Sequence, residues 1–240
     1  MINISRSEEV PPSLLTVEIK NYLKAYQDYI NTPEECPEPK KTDSYRNSDL
    51  LEAFDRDFHS KCYLTEEKYT NSWVMDVDHF IPRNERQELT HEWANLFPAS
   101  HYTNLIKPKT TPEGGYLNPC VDDVEKEILY SLSMLGDDPK FDPKDHTNTK
   151  AINSCKLLAR VHNGHDKNTE KGTASLRHAI RKKYNEILLK IIDYLKAKEG
   201  TQEKHQCRRD LQDLLSKKSS FTMLSRSIPA LSFIEEKLFD

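Results

Sequence analysis

Val74-Met-Asp-Val-Asp-His-Phe-Ile-Pro-Arg83 is the stretch on which the reading of this chain turns. Its β-branched and aromatic content predicts a strand over Trp73 to Phe80, with a loop from Pro82 onward. Asp78 and His79 then arrive together at the strand end, a carboxylate beside an imidazole. Neighbours on a strand point to opposite faces, but at its end the backbone can twist and bring both to one site. Downstream, Glu92-Trp-Ala-Asn-Leu-Phe-Pro98 predicts a second short strand near Leu96-Phe97. His101-Tyr-Thr-Asn-Leu-Ile-Lys107 predicts a helix over about 99–107 that stops before Pro108, because the residue ahead of a proline is pushed out of the helical region. The unit is a small ββα, and it gathers Asp78, His79, Asn95 and Asn104.

These residue types suit hydrolysis of a phosphodiester. Water must be deprotonated near an electrophilic phosphorus, and the leaving oxygen must be neutralised. Magnesium takes oxygen ligands and keeps several waters, so one carboxylate and one amide oxygen suffice from the protein. Asp78 offers the first and Asn104 the second. His79 is the candidate general base, since a neutral imidazole accepts a proton near neutral pH. Arg83 and Lys107 are candidate catalytic cations that neutralise the transition state, and Lys107 is a candidate phosphate contact, although such side chains are as often plain surface charges. Asn95 has a role as a brace, through side-chain to backbone hydrogen bonds.

Over Cys62 to Lys107 the sequence resembles the HNH nucleases, the ββα-metal fold. The resemblance implies that Asp78 and Asn104 are metal ligands, that His79 is the base and that Asn95 is the middle motif residue. It implies Mg²⁺ or Mn²⁺ as cofactor. Further segments recur in order: Phe58-His-Ser-Lys-Cys-Tyr-Leu-Thr-Glu66, Val77-Asp-His-Phe-Ile-Pro-Arg83, Glu92-Trp-Ala-Asn-Leu-Phe-Pro-Ala99 and Leu117-Asn-Pro-Cys-Val-Asp-Asp123. Together they resemble the HNH proteins of the Septu type, found in bacterial anti-phage systems and beside some retrons. That resemblance implies a nuclease effector paired with an ATPase subunit of the ABC/SMC-like class. One departure stands out. Many HNH proteins hold a structural zinc with two C-x-x-C pairs, and the corresponding positions here are Cys62, Thr65, Ser100 and Thr103. One thiol in four argues against a structural zinc. Packing by Trp73, Phe80, Trp93 and Phe97 is the expected substitute; His59, Cys62, His91 and His101 form an irregularly spaced alternative set.

The rest of the chain bounds this reading without adding to it. Length 240 allows one core, or one core with a helical appendage. Charged residues at 31% and a mean hydropathy of -0.80 describe a well-solvated surface, and no apolar run reaches the roughly 20 residues a membrane span needs. A start of Met1-Ile-Asn-Ile-Ser-Arg-Ser-Glu-Glu9 has neither the basic nor the apolar region of a signal peptide. The odd set Cys36, Cys62, Cys120, Cys155 and Cys207 contains no C-x-x-C pair, which suits free thiols in a cytoplasmic setting. Net charge is -4, yet Arg177 to Lys218 holds twelve Lys/Arg against six Asp/Glu. Such a face suits phosphates or simply water.

The expected fold is mostly α with a small embedded ββα-metal motif, an α+β chain. Residues 1–46 read as an N-terminal helix (14–30) and a Pro-rich linker, 47–136 as the nuclease core and 137–240 as a helical region. Ser48 is expected to cap a helix through Phe58, and Asp122-Asp123 to cap one through Leu135. Turns are expected at Gly136-Asp-Asp-Pro139 and Phe141-Asp-Pro-Lys144, then helices at 150–162, 173–198 and 204–217 and a weaker tail to Asp240. Expected partners are nucleic acid, with DNA favoured over RNA, and the ATPase, docked on 14–30 or 173–217; no membrane is expected. Two further readings stay open: a non-catalytic HNH-like module that binds nucleic acid or an ATPase, and a zinc hydrolase using Asp78 and His79 together. The second lacks another His at helical spacing. His162 and His165 are separated by Gly164, which breaks any shared helical face.

Overall fold

A computed structural model describes residues 1–40, 46–132, 138–234 and 238–239. In chain order the elements are α1 (Val17–Asn31), α2 (Ser48–Phe58), β1 (Asp76–His79), β2 (Leu96–Ala99) and α3 (His101–Ile106). There follow α4 (Val124–Glu127), β3 (Ile128–Ser131), β4 (Lys140–Pro143), α5 (Thr149–Asn163), α6 (Lys167–Gly172), α7 (Ala174–Lys196), α8 (Gln202–Leu215) and α9 (Thr222–Arg226). The mostly helical α+β architecture agrees with the expectation. Strands β1 and β2 pair antiparallel with His79 opposite Leu96 and Asp78 opposite Phe97, and α3 follows at once.

Local chemistry sets these limits. Ser100 caps α3 by accepting from the Thr103 amide, and Pro108 holds Lys107 at φ -57, ψ 136, outside the helix. β1 is shorter than expected: Ser72–Val74 forms a 3-10 turn, and Trp73 is exposed rather than part of the packing. Ser48 is the first residue of α2 and Asn47 its cap position. The helix expected from Asp122-Asp123 is only four residues long. Ile128 and Tyr130 are buried while Leu129 faces out, a period of two that pairs with Lys140–Pro143, where a turn was expected. Its expected end at Leu135, Gly136 and Asp137 of the next turn, Thr42 and Asp43 of the linker, and Asp240 lie outside the described residues. The pairing of β3 with β4 crosses the expected boundary at 136, so the two segments share a sheet. Helices α5, α7 and α8 match their expected spans closely, and α6, closed by an Asp166/Thr169 capping box, is an addition.

The ββα unit sits on aromatic packing. Phe97 is fully buried, with ring centroids 5.7 Å from Phe58, 4.7 Å from Tyr63 and 5.4 Å from Phe80. Trp93 stacks on Phe54 at 5.7 Å. The Arg6 guanidinium lies 4.3 Å from both the Trp93 and the Phe97 ring centroids and donates to the Leu96 and Trp93 carbonyls. Such cation–π contacts hold the N-terminal segment against the back of the hairpin, and burial lowers the Arg6 pKa. The same buried cluster continues without a break into α5, α7 and α8.

Candidate active site

The ββα unit opens onto a cleft of about 610 Å³. Asp78 and His79 from β1, Asn104 and Lys107 from the α3 end, and Arg83 from the inter-strand loop all line it. Tyr22 of α1 forms part of the wall, and its hydroxyl accepts from the Gln87 amide (2.6 Å). Residues separated widely in sequence are thus brought to one place. Among the described lining residues Asp78 is the single carboxylate, beside the cationic side chains of Arg83, Lys107 and Lys109.

Each candidate side chain is held by a second residue. His79 is buried, and its Nε2 lies 2.9 Å from the Thr90 carbonyl. A carbonyl only accepts, so Nε2 carries the proton and Nδ1 is the basic nitrogen. Burial pushes the imidazole pKa down to about 4, with the Thr90 bond opposing and the Arg83 charge assisting. The ring is therefore neutral at neutral pH. Asn95 does not face the substrate space; it braces the loop. Its Oδ1 accepts from the Ile81 amide (2.8 Å) and its Nδ2 donates to the Ile81 and Leu89 carbonyls (3.1 and 3.2 Å). This is the bracing role the sequence suggested, and it fixes the loop that carries Thr90.

Asp78 receives two hydrogen bonds on one oxygen. The Tyr63 hydroxyl donates to Oδ2 at 2.7 Å, and the Lys107 ammonium donates to the same atom at 2.6 Å. Lys107 also donates to the His79 carbonyl (2.8 Å), and its side chain is only 4% exposed. Burial and the neighbouring carboxylate hold the Tyr63 pKa well above its usual value, so it stays a proton donor to Asp78. Lys107 is thus an internal counter-charge as well as a cleft residue, while Arg83 stands exposed at the rim. Neither Tyr63 nor the ion pair was visible in the motif. Asn104 turns its Nδ2 to Asp76 Oδ2 (3.0 Å), and His101 Nδ1 meets the same oxygen (3.0 Å).

The donor set fits a hard divalent ion. Both bonds to Asp78 fall on Oδ2, and the amide nitrogen of Asn104 is committed to Asp76, so an oxygen of each residue remains to serve as ligand. Among the described residues no group of three or more His, Cys, Asp and Glu is gathered as a metal cluster. The alternative set is dispersed: His101 meets Asp76, and His91 packs edge-on against Tyr22 at 5.8 Å. At the four positions compared above with two C-x-x-C pairs, Cys62 is a buried thiol, and the Ser100 hydroxyl donates to Thr103 Oγ1 (2.7 Å). Cys62 and Glu67 close a turn through the Cys62 amide and the Glu67 carbonyl (3.0 Å). His162 is buried with Nδ1 donating to the Leu158 carbonyl, whereas His165 is exposed and pairs with Asp166.

No family model, no curated protein and no solved structure matches this chain. Among the described residues no helix is long and apolar enough to cross a membrane.

Proposed function

We propose that the protein is a metal-dependent HNH endonuclease that hydrolyses phosphodiester bonds of nucleic acid, with DNA favoured. The observation that carries this reading is a neutral, tautomer-fixed His79 next to Asp78 in a cleft that Arg83, Lys107 and Lys109 also line. His79 takes a proton from the attacking water at Nδ1, while the Thr90 carbonyl holds the ring; positioned bases of this kind contribute roughly 10²–10⁴-fold. Asp78 and Asn104 would hold Mg²⁺ or Mn²⁺, which supplies charge neutralisation at the scissile phosphate and the leaving oxygen. Arg83 and Lys109 draw the phosphate into the cleft. Asn95 keeps the loop, and therefore the base, in register. By resemblance the protein serves as the cytoplasmic effector of an anti-phage complex gated by an ABC/SMC-like ATPase.

The Lys107–Asp78 ion pair favours a second reading, a binding module whose motif acid has become structural. One assay separates the two. Plasmid DNA and bulk RNA are incubated with Mg²⁺ or Mn²⁺ and either wild type or His79→Ala, with and without the co-purifying ATPase. Cutting by wild type alone supports the nuclease and names its polymer. No cutting by wild type under any of these conditions overturns it in favour of the module.

A further inference from the structure

Asp76 lies outside the cleft lining, two residues before Asp78 on the same face of β1. Its Oδ2 accepts from Asn104 Nδ2 at 3.0 Å and meets His101 Nδ1 at 3.0 Å. The first bond decides which end of the Asn104 amide turns toward Asp76, because a carboxylate accepts and only the NH₂ end donates. The carbonyl oxygen is left as the ligand atom. Charge gives Asp76 a second part. Lys107 already offsets Asp78 at 2.6 Å, so these two bring no net charge to a divalent ion, and the remaining charged lining residues, Arg83 and Lys109, are cationic. The ligand oxygens of Asp78 and Asn104 thus come to a hard cation without a net negative charge from these side chains. Asp76 is the carboxylate in direct contact with a ligand of that ion.

We infer that Asp76 is a positioning residue of the metal centre, which orients the Asn104 amide oxygen and supplies the negative charge that the Lys107–Asp78 pair does not. The inference rests on the metal-centre reading above. Groups behind a ligand typically tune metal affinity by 10–100-fold. Asp76 is suited to a clean test, since its side chain is 32% exposed at a strand start and the core does not depend on it.

The test is calorimetric titration of the full chain with Mn²⁺ alone, for wild type, Asn104→Ala, Asp76→Ala and Asp76→Asn. Both alanine variants are expected to weaken Mn²⁺ by roughly 10–100-fold, and Asp76→Asn to fall between wild type and Asp76→Ala. The asparagine keeps an oxygen that accepts from Asn104 but carries no charge. In cleavage, the Mn²⁺ concentration for half activity should rise by the same factor while the rate recovers as Mn²⁺ is raised, a split that general misfolding does not produce. An Asp76→Ala affinity within about twofold of wild type, beside a weakened Asn104→Ala, overturns the role of Asp76 and leaves the metal centre standing. Absence of Mn²⁺ binding by wild type overturns the metal centre itself, and the inference falls with it.

Discussion

Replacing Lys107 with Met removes an ammonium from Asp78 Oδ2 and from the His79 carbonyl while keeping most of the side-chain volume. The two partners are 4% and 7% exposed, so the pair counts as buried, and truncating one side of such a pair costs about 3–5 kcal/mol. The Tyr63 hydroxyl still donates to Asp78, and Asp78 lines the cleft where water can reach it; both lower the cost. We therefore expect about 3 kcal/mol, which for a chain of this size lowers Tm by about 6–12 °C. Differential scanning calorimetry of wild type, Lys107→Met, Asp78→Asn and the double variant reads both the loss and the coupling. The double variant should lose less than the sum of the singles by at least ~1 kcal/mol, since Lys107→Met no longer strands a charge. Saturating Mn²⁺ should return part of the loss in Lys107→Met, by about 2.7 kcal/mol at a hundredfold excess over Kd. A Tm change under ~2 °C with coupling below ~0.5 kcal/mol would refute the buried-pair argument.

Other consequences are more direct. His79→Ala should abolish cleavage in a plasmid assay with an unchanged circular-dichroism spectrum; wild-type rates in that variant would remove His79 as the base. Because the His79 pKa is held at about 4, wild-type cleavage should keep its base through pH 6 and lose it only as pH falls toward 4, read from a pH–rate profile at saturating metal. Burial holds His162 at about 4 as well, below its unfolded value near 6.5. Both groups bind more protons when unfolded, so their stability contribution is full above about 6.5 and is lost as pH falls from there to about 4, on the order of 3 kcal/mol each. Urea titrations at pH 7.5 and 4.5 check this, and His162→Phe should flatten the difference. Asn95→Ala removes three hydrogen bonds from a buried side chain and should cost about 2–4 kcal/mol along with most of the cleavage rate. Asn95→Asp, which retains only the acceptor for the Ile81 amide, should rescue little of either.

What could be read in the sequence was whatever local spacing encodes. The β1 and β2 segments and the helix stop at Pro108 follow from residues within a turn or two of each other. The Ile128–Ser131 strand does not, because its partner Lys140–Pro143 comes from a later segment, and a local acidic cap pointed to a helix instead. Trp73 looked like core material and is exposed, since the 3-10 turn at Ser72–Val74 swings it away from the hairpin. In the site, the motif residues were legible but the groups that restrain them were not. Tyr63, Thr90 and Asp76 carry no spacing signature, and they matter only because tertiary packing sets them against Asp78, His79 and Asn104. Lys107 was legible as a cation, though its burial against Asp78 was not.

Helix α3, which carries Asn104, is moored from the far half of the chain. Tyr102 sends its hydroxyl to the Thr169 carbonyl (2.7 Å), and its ring occupies the space that any side chain at Gly172 would claim. The Arg160 guanidinium donates to the Ile106 carbonyl (2.6 Å), at the last turn of α3. A fragment excised at residue 136, the natural choice for someone wanting a miniature cutter, would leave that six-residue helix without these two fastenings. Grafting the motif into another scaffold therefore requires carrying α5 and α6 along with it, and a bulky residue at 172 would work as a remote knob on the ligand helix.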